Sequence, residues 1–279
     1  MTITIDEVIE NVRDLPSLPA IVMEIMHTMG QADVDIKAIA GKLQLDQALT
    51  AKTLRLANSS FYGMQRKVTT IQQAISILGF HSVRSLITAS AVTGSFAASQ
   101  VKNFDFQAFW RHSIASAVCA KALAKYCRAS QEYAFMAGLL HDIGRLVLVT
   151  RFPAQYEAVI AHRASRDCQM FEAEREILGI DHASAGFALA EHWKFPEAIQ
   201  RAVSGHHEPA GAQVDPLAAI VHASDAIVHA LDLSGQEDDL VPPLSVAAWN
   251  SLEIDEQAFQ QICRDTETQF EEALLILAA

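Results

Sequence analysis

The chain has 279 residues, 51% of them hydrophobic, with a formal net charge of −12 and a pI near 5.3. That is enough apolar material for a sizeable core, as one large domain or two small ones. The acidic balance argues against a general binder of phosphate backbones. Four scattered cysteines, Cys119, Cys127, Cys168 and Cys263, form no C-x-x-C pair, which favours reduced thiols over a disulfide framework.

The opening MTITIDEVIENV carries acids where a signal peptide needs a basic start. No uninterrupted apolar run approaches the roughly 20 residues that cross a bilayer. The expectation is a cytoplasmic protein without membrane contact. Apolar residues recur at three- and four-residue spacing nearly throughout, and strict alternation is rare, so the fold class is all-α.

Pro16 and Pro19 end any earlier helix, and a new one begins at Ala20. Asp35 and Asp46 are placed to cap two further helices, and Asn58-Ser59-Ser60 with Gly63 marks a break. Thr70 can cap IQQAISILGF, and HSVRSLITASAVTGSF follows. The two segments meeting at Leu78-Gly79 resemble a helix-turn-helix. A tight corner permitted by Gly79 is the better reading in an acidic protein.

A second block begins near Asn103, with Asp105 capping FQAFWRHSIASAVCAKALAKYC. YAFMAGLLHDIGRLVLVTRF, FPAQYEAVIAHRA and MFEAEREILGIDHASAGFALAEHW come next. Pro196 opens EAIQRAVSGHH, and Asp215-Pro216 caps and starts LAAIVHASDAIVHAL. A polar GQEDD turn then leads to a final amphipathic helix ending in ALLILAA, read as docked on the body.

Most of the eleven histidines lie between residues 112 and 229. Histidine is the commonest metal ligand and the natural acid–base group near neutral pH. His141-Asp142 directly follows an apolar helical stretch, where a carboxylate is costly unless paired or metal-bound. The alternative is a plain helix end, with His141 near the negative pole of the dipole and Gly144 as terminator. His112 has small residues at helical spacing beside it, which also suits a satisfied core histidine. Asp225 sits on an apolar stripe and wants a cation. His182 follows Asp181 at a helix start, and His206-His207 follows Gly205 on a turn that could equally be an exposed polar corner. Taken together, the order is one set per successive helix, the manner in which bundles build metal sites. Several imidazoles with two carboxylates suit iron, manganese or zinc.

Across about residues 10 to 230 the chain resembles the HDOD domain (HD-related output domain), a branch of the HD superfamily of metal-dependent phosphohydrolases. The resemblance rests on LPSLPAIVMEIM, LDQALTAKTLRLANSSFYG, ISILGFHSVRSLI, FMAGLLHDIGRLVL and DHASAGFALAEHWKFPEAI with its HH. It implies a multi-helix HD-like bundle with an N-terminal helical subdomain over 1–100. A metal-site subdomain over 101–232 and a helical extension over 233–279 packed on the body would complete it.

The resemblance also implies site residues. The superfamily's first helix ligand falls on His112 and its signature pair on His141 and Asp142. The extra histidines of the related HD-GYP phosphodiesterases match His182, His206 and His207, and the last aspartate matches Asp225. Asp142 would bridge two divalent ions, and such a pair activates water and stabilises a phosphoryl transition state. Arg145 stands where HD-GYP proteins carry a lysine directed at phosphate, and keeps the charge with a bidentate fork. Asp142 and Arg145 are therefore the catalytic candidates.

Two departures matter. HHEPAGAQVDP lacks the HD-GYP signature, and Ala108 replaces the acid that can supply a third metal. Hydrolysis of cyclic-di-GMP is not implied. Two readings follow: a signalling output protein whose partners are other signalling proteins, with the metal site retained, or a phosphohydrolase acting on a nucleotide or cyclic nucleotide. Nucleic acid is not an expected partner, and input would arrive through separate proteins or ligands.

Overall fold

The computed structural model describes residues 2–15, 17–29, 31, 34–58, 67–96, 104–209, 214–236 and 240–274. Ser59, Ser60 and Gly63 of the expected break, most of the GQEDD turn and the last residues of ALLILAA lie outside this set. The described residues form helices without a strand, as the spacing of apolar residues predicts.

The first part of the chain builds α1 (Ile5–Arg13), α2 (Ala20–His27), α3 (Ile36–Leu43), α4 (Gln47–Ala57), α5 (Ile71–Leu78) and α6 (Phe80–Ser95). The expected caps are in place. Asp35 accepts from Ala38 N, Asp46 from Leu49 N and Thr70 from Gln73 N, each satisfying a backbone donor that the helix start leaves open. Gly79 has φ +81°, which lets α5 pass into α6 without a break in between. Most of α6 is buried, from Phe80 to Val92, so this corner presents no free recognition helix. α1 leaves its sequence neighbours and packs on α9 and α12, with Ile3 N donating to Leu178 O at 2.7 Å.

The second part holds α7 (Phe106–Tyr126), α8 (Gln131–Leu140), α9 (Ile143–Arg151), α10 (Pro153–Arg166), α11 (Met170–Leu178), α12 (His182–His192), α13 (Glu197–Gly205) and α14 (Pro216–Ala230). α15 (Val246–Ser251) and α16 (Glu256–Ala273) follow, packed on α14 and α7. The long α7 is central and touches α8, α14 and α16. Gln131–Arg151, which comprises α8 and α9, has the length and composition of a membrane span. However, 83% of its most apolar 18-residue window is buried inside the protein, as expected of core helices.

Gly144 corrects one local reading. It is not a terminator: it lies in the first turn of α9, where a Cβ would meet His182 O at 1.9 Å and Gly186 N at 2.4 Å. The missing side chain lets α12 lie directly on α9. That contact brings His182 to Asp142.

Candidate metal centre

Each expected residue comes from a different place in the bundle. His112 is mid-α7, His141 caps the end of α8, and Asp142 is the N-cap of α9. His182 opens α12, His206 ends α13 with His207 next to it, and Asp225 lies on α14. All seven meet. Except for His207, which is half-buried, each is buried to 5% exposure or less.

Two groups share one carboxylate. Asp142 Oδ1 lies 3.0 Å from His182 Nε2 and 3.6 Å from His206 Nε2, and His207 Nε2 is 2.7 Å from His182 Nε2. On the other side, His141 Nε2 is 3.5 Å from Asp142 Oδ1, 3.6 Å from Asp225 Oδ1 and 3.2 Å from His112 Nε2. His112 Nε2 is 3.0 Å from Asp225 Oδ1. Among the described residues, Asp142, His182, His206 and His207 could hold one metal ion, and His112, His141 and Asp142 another.

The rings are aimed from behind. His141 Nδ1 donates to Gly138 O and His206 Nδ1 to Val203 O, both at 2.7 Å, and His182 Nδ1 contacts Glu174 Oε2 at 2.6 Å. Fixing Nδ1 in this way leaves each Nε2 directed inward, the usual support for an imidazole ligand. His222 shows the contrast. Its Nδ1 bonds His206 O and its Nε2 accepts from Ser245 N, so both nitrogens are spent on the fold.

The donor set fits a transition metal. His206 Nε2 is buried, aimed at the centre and makes no hydrogen bond, a costly state for a polar atom. Imidazoles with shared carboxylates are the ligand chemistry of zinc, iron or manganese.

The electrostatics divide the set: the two aspartates stay ionised, His141 and His182 are raised by the carboxylates beside them, and the other imidazoles are lowered. Burial alone would raise Asp142, but His141 and His182 beside it hold it well below the usual carboxylate range. Asp225 is likewise held well down against burial by His229, His112 and His141. Burial lowers His182, yet Glu174 and Asp142 outweigh it and push it up to about 10. His112, His206 and His207 are lowered, first by burial and then by neighbouring imidazoles, against the upward pull of Asp142 and Asp225. Neutral imidazoles are the form that binds metal.

Arg145 lies beside the centre. Its Nη1 is 3.0 Å from Asp142 Oδ2 and its Nε bonds Tyr156 Oη at 3.4 Å. Tyr156 donates to Glu174 Oε1 at 2.9 Å, which closes a ring of contacts from Arg145 through Tyr156, Glu174, His182 and Asp142. The guanidinium also faces the rings of Phe104 and Phe109. It borders a cleft of about 560 Å³ that Arg163, Met170 and Leu240 also line.

The sequence reading missed Glu174, Tyr156 and His229. Glu172, Glu174 and Glu176 alternate along one helix, and no local pattern singles out the one that is fully buried. His229 had a usable signal: it stands four residues after Asp225, on the same helical face.

Comparison with known proteins identifies the family and the fold. A structure from Geobacter sulfurreducens, an HDOD domain protein with unknown function, is 26% identical and covers 99% of this chain and 94% of its own, with a TM-score of 0.75. A candidate phosphohydrolase from Shewanella amazonensis SB2B is 28% identical over 96% and 97%, with a TM-score of 0.73. An uncharacterized protein of Treponema pallidum (strain Nichols) is 25% identical over 200 residues. This chain spans 38% of that relative's length. The model of the HDOD domain matches residues 15–209, and the chain belongs to the HDOD family.

Proposed function

We propose that this protein is a signalling output protein of the HDOD type that holds two divalent transition-metal ions in an HD-type centre. Asp142 Oδ1 carries the reading, because it stands between the inward nitrogens of His182 and His206 on one side and His141 on the other. His112, His141 and Asp225 would hold one ion, His182, His206 and His207 the other, with Asp142 shared. Membership of the HDOD family supports the output role, with other signalling proteins as partners. Metal analysis of the purified and reconstituted protein tests it. Two equivalents of iron, manganese or zinc are expected. No uptake, or uptake unchanged in Asp142→Ala, sinks it.

A second reading is favoured by Arg145 and its cleft: hydrolysis of a phosphate ester of a nucleotide. Bound ions would supply Lewis acidity and an activated water. The chain's own contribution would be Arg145, oriented by Asp142 and Tyr156 and able to meet a phosphate oxygen with a two-pronged fork. Arg145→Ala should lower turnover of a nucleotide phosphodiester panel by about 100-fold while leaving metal content intact, as removal of one transition-state donor does. Turnover equal in both proteins discards Arg145's role, and no turnover in the loaded wild type discards the hydrolase.

A further inference from the structure

His229 reaches the same carboxylate oxygen as two of the proposed ligands. Its Nε2 lies 3.2 Å from Asp225 Oδ1, which is itself 3.0 Å from His112 Nε2 and 3.6 Å from His141 Nε2. The rings of His229 and His112 have centroids 4.5 Å apart, and one donor atom each from His112, Asp225 and His229 falls within a 4.8 Å span. A nitrogen or oxygen ligand sits about 2.1 Å from zinc, so donors around one ion are roughly 3–4 Å apart. The observed separations match that spacing.

Position on the helix explains how the side chain arrives. Asp225 and His229 are four residues apart on α14, one turn along one face, and α14 packs against α7. On α7, the position one turn before His112 is Ala108, which is buried and carries no donor. That turn of α7 offers no further donor, whereas α14 presents His229. His229 also lines the mouth of the centre with Asp142, His182 and His207, so it faces the ions from the solvent side.

We infer that His229 is a direct ligand of the ion held by His112, His141 and Asp225, supplied by α14 one turn beyond the aspartate. The inference rests on the metal-centre reading above. It makes this ion richer in nitrogen and closes one of the positions through which water or a phosphate oxygen would enter. The competing role is purely structural, with His229 anchoring the Asp225 carboxylate by a hydrogen bond.

His229→Gln separates the two, because glutamine retains a hydrogen-bond donor and is a poor ligand. The cobalt(II)-loaded protein reports each coordinated imidazole as a strongly shifted, exchangeable N–H proton resonance. Loaded His229→Gln and His229→Ala should each lack one such resonance that the wild type shows. One equivalent of metal should bind at least about tenfold more weakly, with the other unchanged. Circular dichroism on both variants confirms folding before loading. Identical resonances and affinities in wild type and His229→Gln overturn the assignment of His229 alone. Failure of the wild type to take up cobalt, zinc or manganese overturns the metal centre itself.

Discussion

The N-terminal helices α2–α6 and the helices α7–α14 both bury polar side chains, but they dispose of them differently. In the first region the buried threonine hydroxyls close on their own helix, Thr28 on Ile25 O, Thr53 on Leu49 O and Thr88 on Arg84 O, while Ser90 Oγ is left without a partner. The one buried cation among its described residues, Arg84, pairs with Glu132 of α8 through two donors and also bonds Thr28, so it ties the two regions together. In the second region the buried histidines and aspartates converge on one another from six helices, and His206 Nε2 stays without a hydrogen bond. Local satisfaction marks a structural polar group. Convergence with an unsatisfied atom marks a site.

That contrast can be broken by experiment. Asp142→Ala should have the largest effect, abolishing the two-ion centre because both halves lose their shared oxygen; retained double occupancy, read by elemental analysis, would dissolve the distinction between the regions. Arg84→Ala should cost about 3 kcal/mol in denaturant titrations, since it leaves the largely buried Glu132 with only the exposed His81 as partner, yet should leave the metal count unchanged. Gly144→Ala should cost stability near the upper end of the roughly 1–3 kcal/mol range for overpacking, because the added methyl meets backbone rather than a side chain that can move. It should also weaken metal binding, as α12 carries His182 away from Asp142. A variant as stable as wild type with full metal content would show that the contact is dispensable.

The smallest effect concerns protons. His182 is raised to about 10 by Glu174 and Asp142 against burial. In the metal-free protein its pairing stabilises the fold fully below an unfolded-state pKa of about 6.5, and that stability is lost as pH rises through about 10. Metal must displace the proton, so affinity should climb with pH toward that value, and uptake at neutral pH should release a proton. Calorimetry in buffers of different ionisation enthalpy measures the release. Glu174→Gln removes the strongest influence raising His182 and should flatten the pH dependence while weakening binding about tenfold. Equal proton release in both proteins would mean that Glu174 does not govern His182.

Much of this was legible before any coordinates. Helical class followed from apolar spacing, because an amphipathic helix writes its buried face into the sequence every three or four residues. Asp35, Thr70, Asp105 and Asp215 cap helices as read, since a cap depends only on the two or three residues that follow it. All seven residues expected at the centre meet there, and the HDOD resemblance agrees with the family match over 15–209. Gly144 was open to a wrong local reading because its role depends on a helix almost forty residues away.

What the sequence determined by itself was the local chemistry: which segments are helices, where they begin, and which side chains can bind metal. Tertiary structure decided which nitrogens face inward and which acids stand behind them. It separated His222, spent on His206 O and Ser245 N, from His229, which stands 3.2 Å from Asp225 on the same helix. It also chose Glu174 from three alternating glutamates. The physical reason is one of range. Helix propensity and capping act over a few neighbouring residues, whereas the orientation of a buried imidazole is set by whichever acceptor the packing of distant helices places behind it.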